Sequence, residues 1–103
     1  MKKADKTRLR YELAEERGYS CEWCGRSANQ LHHCLIHGRK PDWYCKENLM
    51  LSCADCHTVQ KVLDTDEVKR WFWAVQCSRY GEAEMLAWLG KVNEGLVIKY
   101  NFI

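Results

Sequence analysis

Hydrophobic residues recur at helical spacing near the start of this chain and over residues 64–93, and at strand spacing in its middle and at its end. Leu9 and Leu13 mark a narrow apolar stripe, which predicts a helix over residues 5–17. Asp5 is the expected N-cap of this helix, and Gly18 is placed to end it. We expect the helix to lie across the central part of the chain and to turn its Lys and Arg side chains outward.

The middle of the chain predicts two short strands and a helix. Residues 31–36 form the first strand, and the returning strand comprises residues 43–44 and 49–51 with a loop between them. A turn-rich, basic segment separates the two strands. Cys53 begins a helix that is expected to continue to about Val62.

The last third of the chain predicts two more helices and a strand. Residues 64–67 supply an N-cap and first-turn acids for a helix that ends at Gly81. The apolar residues of this helix fall at i, i+3, i+4 and i+7: Val68, Trp71, Phe72 and Val75. Residues 82–93 form the next helix, and the alternation over residues 96–102 favours a terminal strand. The tryptophans of these helices are expected in the core rather than in a ligand-binding surface.

Length and composition indicate one small globular domain. With 47% hydrophobic and 29% charged residues among 103, the chain suggests neither disorder nor a membrane protein. No run approaches the ~18 apolar residues of a membrane span, and the N-terminus lacks an apolar signal core. We therefore expect a cytoplasmic protein. A net charge of +2 permits nucleic-acid binding without demanding it.

Four of the seven cysteines form two Cys-x-x-Cys pairs. Each pair can wrap one edge of a tetrahedral ion, and disulfides are disfavoured in the cytosol. We therefore predict one structural zinc site, in which Gly25 supplies the positive φ of the first turn. Its ligands are Cys21, Cys24, Cys53 and Cys56. Thiol redox chemistry is disfavoured, because the two pairs would be held as zinc thiolates.

The histidines are not needed to hold that zinc. His32 and His33 are adjacent, so on a strand they point to opposite faces, and one can bind a metal while the other faces substrate. His57 directly follows the last cysteine of the zinc set and can point toward the strand that carries His32. The simpler alternative is that His32 or His33 packs in the core or replaces a cysteine as a zinc ligand.

The order of these elements resembles the HNH endonuclease family. The resemblance covers residues 19–62 and rests on the two Cys-x-x-Cys pairs, His32-His33, Glu47-Asn48-Leu49 and His57. It implies an α+β fold with a small ββα-metal core and a treble-clef-like zinc site. A single nuclease domain would then span residues 1–103, with the N-terminal helix and a C-terminal helical extension, residues 65–103, beside that core.

The resemblance also implies a role for each site residue. His33 would be the general base that takes a proton from water. His32 and His57 would hold a catalytic divalent ion, Mg²⁺, Mn²⁺ or Ni²⁺, and Asn48 would fix the loop and orient the His33 ring. The expected reaction is metal-dependent hydrolysis of a DNA phosphodiester bond to a 5′ phosphate and a 3′ hydroxyl.

Two positions depart from the family pattern. Many relatives have Asp where His32 stands, and some have a further histidine where this chain has Lys61. Lys61 could instead contact phosphate, and His37 has no secure counterpart in the family.

The expected partner is double-stranded DNA, and the protein would be of bacterial or phage origin. A homodimer and a phage packaging or recombination partner stay open. The alternative function is a non-catalytic zinc module that binds DNA or protein through the same scaffold.

Overall fold

Helices and a two-stranded antiparallel sheet make up the described part of the chain, residues 3–36 and 44–92, in a computed structural model. The elements are α1 (Lys3–Glu16), β1 (Gln30–His33), β2 (Leu49–Ser52), a five-residue π-helix (Asp55–Val59), α2 (Asp66–Tyr80) and α3 (Glu82–Val92). This arrangement confirms the predicted α+β class. None of the helices in the described ranges combines the length and apolar character needed to cross a membrane. The predicted strand over residues 96–102 lies outside the described residues.

The two strands form a short hairpin-like ladder in which Gln30 faces Ser52 and His33 faces Leu49. The prediction that the first strand continues to Ile36 is wrong. Beyond His33, the side chain of Asn48 accepts hydrogen bonds from the backbone N–H groups at positions 35 and 36, so these groups bond to a side chain rather than a strand. The second strand was expected over residues 43–44 and 49–51, and β2 contains residues 49–51. The first part of this prediction is wrong at Tyr44, which lies in a bend, and residue 43 lies outside the described residues.

The N-terminal helix starts earlier than predicted. Asp5 is not its N-cap, because α1 is already helical at Lys3 and the Asp5 carboxylate lies in the first turn, 3.7 Å from the Arg8 guanidinium. Gly18 ends the helix as predicted, with φ +73°. The backbone N–H of Tyr19 reaches back to the Ala14 carbonyl at 2.9 Å, which closes the helix end in the way typical of a glycine cap.

Arg17 contradicts the expectation that the basic side chains of this helix turn outward. Its side chain is completely buried and lies 3.1 Å from the carboxylate of Glu22. It also donates to the Lys46 carbonyl and the Tyr80 hydroxyl, each at 3.0 Å, and to the Leu49 carbonyl. Arg17 therefore connects the end of α1 to the hairpin and to α2.

The helix after Cys53 is shorter than predicted. Its regular part ends at Val59 rather than at about Val62, and it is π-helical: the Gln60 N–H bonds to the Asp55 carbonyl, 2.8 Å away. Lys61 then adopts φ +53°, a left-handed conformation that cannot continue a right-handed helix. The chain consequently reverses direction here.

The two C-terminal helices pack against each other and against the sheet. The Thr65 side chain caps α2 by accepting a hydrogen bond from the Val68 N–H at 3.2 Å, and Gly81, with φ +94°, separates α2 from α3. Trp73 and Trp88 are only 6% and 9% exposed, which confirms that they belong to the core. Other buried members of that core are Leu35, Met50, Leu51, Leu63, Val68, Phe72, Met85 and Leu89.

Candidate metal centre and histidine site

The four cysteines of the two Cys-x-x-Cys pairs converge. The sulfur atoms of Cys21, Cys24, Cys53 and Cys56 all lie within 4.8 Å of one another, and those of Cys24 and Cys53 are 3.5 Å apart. Ligand sulfurs on one tetrahedral zinc are about 3.8 Å apart, so this cluster could hold such an ion. Within residues 3–36 and 44–92 it is the one group of three or more His, Cys, Asp or Glu side chains whose ligand atoms are gathered in this way.

The first cysteine pair lies on a tight turn. The Gly25 N–H donates to the Cys21 carbonyl at 2.8 Å, and the Cys21 N–H donates to the Arg26 carbonyl at 2.6 Å. Gly25 has φ +83°, as its predicted place in the turn requires. The Arg26 guanidinium then pairs with the Asp55 carboxylate at 2.8 Å, which ties this turn to the π-helix that follows the second pair.

The second pair favours a thiolate at Cys53. The backbone N–H of Cys56 donates to the Cys53 sulfur at 3.4 Å, and this hydrogen bond lowers the pKa of Cys53 to about 7. Burial raises the pKa of Cys56. Because the thiolate is the form that binds metal, Cys53 presents a ligand near neutral pH, and the metal would have to displace the proton of Cys56.

Two of the predicted site histidines lie side by side. His32, on β1, is 4% exposed, and its ring centroid is 4.9 Å from that of His57 on the π-helix. The Nδ1 atom of His57 is 3.0 Å from the side-chain oxygen of Gln30. The strand and the π-helix therefore bring two imidazoles together beside the cysteine cluster, since His57 directly follows Cys56.

His33 lies in a different environment. It is half-buried, and its ring centroid is 5.6 Å from that of Tyr44. The ammonium group of Lys6 lies over the same tyrosine ring, 5.5 Å from its centroid. Because consecutive side chains of a strand point to opposite faces, His33 faces Tyr44 whereas His32 faces His57 of the π-helix.

Asn48 fixes the segment that follows β1. It is fully buried, and its side-chain oxygen accepts from the Leu35 N–H at 3.0 Å and from the Ile36 N–H at 2.8 Å. Its side-chain nitrogen donates to the Ile36 carbonyl at 2.9 Å. The side chain of Asn48 thus holds the backbone of Leu35 and Ile36. The role in orienting the His33 ring stays a prediction.

The sequence did not point to the residues that hold the backbone just before Asn48. Gln76 of α2 is buried and donates to the Lys46 and Glu47 carbonyls at 2.8 and 3.1 Å. The guanidinium of Arg17 reaches the same Lys46 carbonyl. The sequence does contain one signal for Gln76. It lies four residues after Phe72 and therefore on the apolar face of α2, where a buried polar side chain needs hydrogen-bond partners.

Lys61 is exposed at the turn after the π-helix, and His37 lies outside the described residues.

Comparison with known proteins adds no relative: no protein-family model, curated protein or solved structure matches the chain.

Proposed function

We propose that this protein is a metal-dependent endonuclease of the HNH type, which hydrolyses DNA phosphodiester bonds within a ββα-metal core formed by β1, β2 and the π-helix. The observation that carries the proposal is the 4.9 Å approach of the His32 and His57 rings next to a four-cysteine cluster. A structural zinc in the cluster would take its four ligands from the cysteines, so neither imidazole is needed to hold it.

The chemistry of the two histidines suits that second ion. Imidazole nitrogens bind Mn²⁺, Ni²⁺ and related ions, and two neighbouring rings on different elements form part of a coordination shell. When bound, a divalent ion supplies positive charge against the charge that develops on the phosphate and on the leaving 3′ oxygen. His32 and His57 are the residues that would hold it.

His33 is proposed as the general base. A neutral imidazole near pH 7 can accept a proton from water as the water oxygen attacks phosphorus and the bond to the 3′ oxygen breaks. His33 is the last residue of β1, so the scissile phosphate must reach across the end of this strand to lie near both His33 and the His32–His57 pair. Asn48 supports this arrangement by holding the backbone that follows His33.

Cationic side chains of α1 lie near the tyrosine that His33 contacts. Lys6 of α1 approaches the Tyr44 ring, which in turn contacts the His33 ring. Arg10, also on α1, donates to the Asn29 carbonyl at 3.0 Å and remains exposed. Cations placed in this way suit contacts with the phosphates of a DNA backbone, which position a duplex without reading its sequence.

A non-catalytic zinc module that binds DNA or protein is the second candidate. The contact of His33 with Tyr44 favours it, because a histidine that packs against an aromatic ring can be purely structural. The cysteine cluster is compatible with either function, so cleavage must be measured directly.

The decisive test is conversion of supercoiled plasmid to nicked or linear DNA. Purified zinc-loaded protein is incubated with no added ion and with Mg²⁺, Mn²⁺ or Ni²⁺ in turn, beside His33→Ala and the matched control Asn29→Ala, which changes an exposed residue. We expect ion-dependent cleavage by the wild type and by Asn29→Ala, and loss of at least about a hundredfold in His33→Ala with its zinc and fold retained.

Two results would contradict the proposal. If the folded wild type cuts nothing with any ion yet binds DNA, the binding module becomes the better account. If His33→Ala cuts as fast as the wild type, His33 is not the general base.

A further inference from the structure

A groove with two exposed tyrosines lies between α1 and the segment that joins α1 to β1. Its volume is about 210 Å³, and Arg10, Tyr11, Ala14 and Tyr19 line it. Tyr11 and Tyr19 are 69% and 58% exposed, whereas Ala14 is buried. Within residues 3–36 and 44–92, neither tyrosine ring packs against another aromatic ring. This tyrosine groove therefore presents two aromatic side chains that the core does not use.

Tyr19 is held beside the groove in a costly backbone conformation. Its φ is +57°, in the left-handed region that disfavours a residue with a Cβ. Its N–H donates to the Ala14 carbonyl and its carbonyl accepts from the Ala28 N–H, both at 2.9 Å, so the backbone is fixed on both sides. Burial of the ring does not offset the cost, because the residue is more than half exposed. Backbone strain of this kind concentrates at functional sites, so it indicates that the exposed ring binds something.

Arg10 adds a fixed cation to the tyrosine groove. Its Nε donates to the Asn29 backbone carbonyl at 3.0 Å, and this bond does not use the two terminal nitrogens of the guanidinium. A guanidinium pairs with phosphate through such nitrogens, and aromatic rings stack on nucleobases. The groove thus combines the two kinds of group that bind a nucleotide of a single strand.

The distribution of charge on α1 also favours a nucleic acid at this groove. Three cations of α1 recur at i, i+3 and i+7, which places them on the helix face that includes Ala14: Lys3, Lys6 and Arg10. Three of the four acidic residues of α1 recur at i, i+7 and i+11 on a different face: Asp5, Glu12 and Glu16. The side of α1 next to the groove is therefore suited to phosphates.

The tyrosine groove lies close to the proposed general base. The Lys6 ammonium lies over the Tyr44 ring, which contacts the ring of His33. Burial raises the pKa of Tyr44 and the charge of Arg10 opposes that rise, so Arg10 lies near the same tyrosine. Asn29 precedes His33 by four residues, which span at most about 14 Å, or about four stacked nucleotides.

We propose that the tyrosine groove binds an unpaired base of the DNA strand that is cut, within about four nucleotides of the scissile phosphate. Tyr11 and Tyr19 contact the base, and Arg10 pairs with a phosphate beside it. A base that is paired and stacked in a duplex cannot enter such a groove. The preferred substrate is therefore DNA with a single-stranded stretch next to the cleavage site. As a statement about the substrate this inference rests on the proposed function, whereas binding of the base can be measured without cleavage.

Fluorescence anisotropy of labelled single strands tests the groove. Zinc-loaded protein with no further divalent ion is titrated into a short oligothymidylate, and separately into an abasic strand with the same backbone and length. The phosphate contacts are the same in both strands, so the difference in affinity measures the contribution of the bases. We expect the wild type to bind the oligothymidylate at least about tenfold more tightly than the abasic strand.

Variants assign this difference to the tyrosine groove. Tyr19→Ala and Tyr11→Ala should each weaken binding of the oligothymidylate by about tenfold and leave binding of the abasic strand unchanged. Tyr19→Phe keeps the ring and should bind both strands as the wild type does. Val59→Ala, at an apolar residue that is 73% exposed outside the groove, is the matched control and should change neither affinity. Arg10→Gln should weaken binding of both strands by the same factor and reduce its dependence on salt.

Cleavage measurements separate this inference from the proposed function. The wild type should cut a duplex with an internal stretch of unpaired thymidines faster than the same duplex fully paired, and Tyr19→Ala should cut both at one rate. If the wild type cuts both duplexes equally and binds the two single strands equally, the groove does not bind a base and the nuclease stands. If the preference for the oligothymidylate is present and is lost in Tyr19→Ala, but nothing is cut with any ion, the groove is a DNA-binding site and the nuclease and its substrate are both refuted.

Discussion

Two side-chain amides, those of Asn48 and Gln30, make hydrogen bonds that fix the structure around the histidines. The buried carboxamide of Asn48 makes three hydrogen bonds to backbone groups of the segment that follows β1. Gln30 does similar work at the other end of the strand, where its oxygen accepts from two side chains of the π-helix. Asn48 thus holds the backbone of Leu35 and Ile36, whereas Gln30 contacts the ring of His57 itself.

Removal of the Asn48 amide should therefore be costly. Asn48→Ala leaves two N–H groups and one carbonyl without their partner in a buried position, and we expect the free energy of unfolding to fall by about 3 kcal/mol. Urea denaturation followed by circular dichroism measures this loss. Asn29→Ala makes the same substitution at an exposed position and should change the unfolding free energy by less than about 0.5 kcal/mol. Equal effects of the two substitutions would show that the Asn48 hydrogen bonds do not stabilise the fold.

Lys61 illustrates a residue whose backbone matters more than its side chain. It is exposed and adopts φ +53°, a conformation that costs a residue with a Cβ about 1 kcal/mol or more relative to glycine. We expect Lys61→Gly to raise the free energy of unfolding by about 1 kcal/mol. Lys61→Ala keeps the Cβ and should leave stability nearly unchanged. Thermal unfolding of both variants makes the comparison, and a destabilised Lys61→Gly would mean that the turn is not left-handed at this position.

At the scale of elements, helices and sheet are connected through a buried ionic network. Glu22, in the turn between the first two cysteines, accepts hydrogen bonds from Arg17 at 3.1 Å and from the Leu51 N–H at 2.6 Å. Its other carboxylate oxygen lies 2.5 Å from the Arg79 guanidinium in an ion pair. Helices α1 and α2 and strand β2 are thereby connected through one carboxylate. A buried charge network tolerates the loss of a partner poorly, because the remaining charge stays desolvated.

Arg17→Met should consequently destabilise the protein by about 3 kcal/mol or more, although methionine preserves much of the side-chain volume. The substitution leaves the Lys46 and Leu49 carbonyls without their donor and removes one cation from Glu22. Arg8→Met, at an α1 residue whose side chain is 71% exposed, is the matched control and should cost less than about 0.5 kcal/mol. The midpoints of urea denaturation compare the two variants. Similar midpoints would refute a stabilising role for the network.

Elements marked by local signals could be predicted from the sequence, whereas those set by distant contacts could not. Gly18, Gly25 and Gly81 mark chain reversals because they adopt positive φ, and the helical spacing of Val68 and Phe72 places a buried face. No glycine or proline marks the end of β1. The strand ends there because the Asn48 side chain takes the next backbone N–H groups, which a contact distant in sequence decides.

The candidate site divides in the same way. The gathering of the four cysteines follows from the spacing within each pair and from the two-stranded sheet that joins the pairs. The burial of Arg17 and the approach of the Asp64 carboxylate to within 3.4 Å of His32 depend on how separate elements pack. Both are charged residues whose sequence context is indistinguishable from that of a solvent-exposed helix or turn.

For the molecule as a whole, the cysteine cluster adds a second connection, besides the Arg26–Asp55 ion pair, between the first cysteine turn and the π-helix. It connects the turn after α1 to the start of the π-helix, and Glu22 lies between two of its members. A chain of 103 residues buries a limited core, so a metal that connects these segments should contribute a large share of the folding free energy. Loss of the metal should then affect the helices as well as the turns.

The reactivity of Cys34 can show whether the core depends on the metal, because Cys34 is fully buried and is not one of the four cluster cysteines. Burial raises its pKa, so at pH 8 the folded protein keeps it as an unreactive thiol. In zinc-loaded protein we expect iodoacetamide to spare Cys34 and the four cluster cysteines. After chelation of the zinc, Cys34 should be alkylated as fast as the cluster, as peptide mass spectrometry can measure. Alkylation of the cluster while Cys34 stays protected would instead mean that the core of α2, α3 and the sheet folds without metal, and that the zinc orders only the two turns beside the histidine pair.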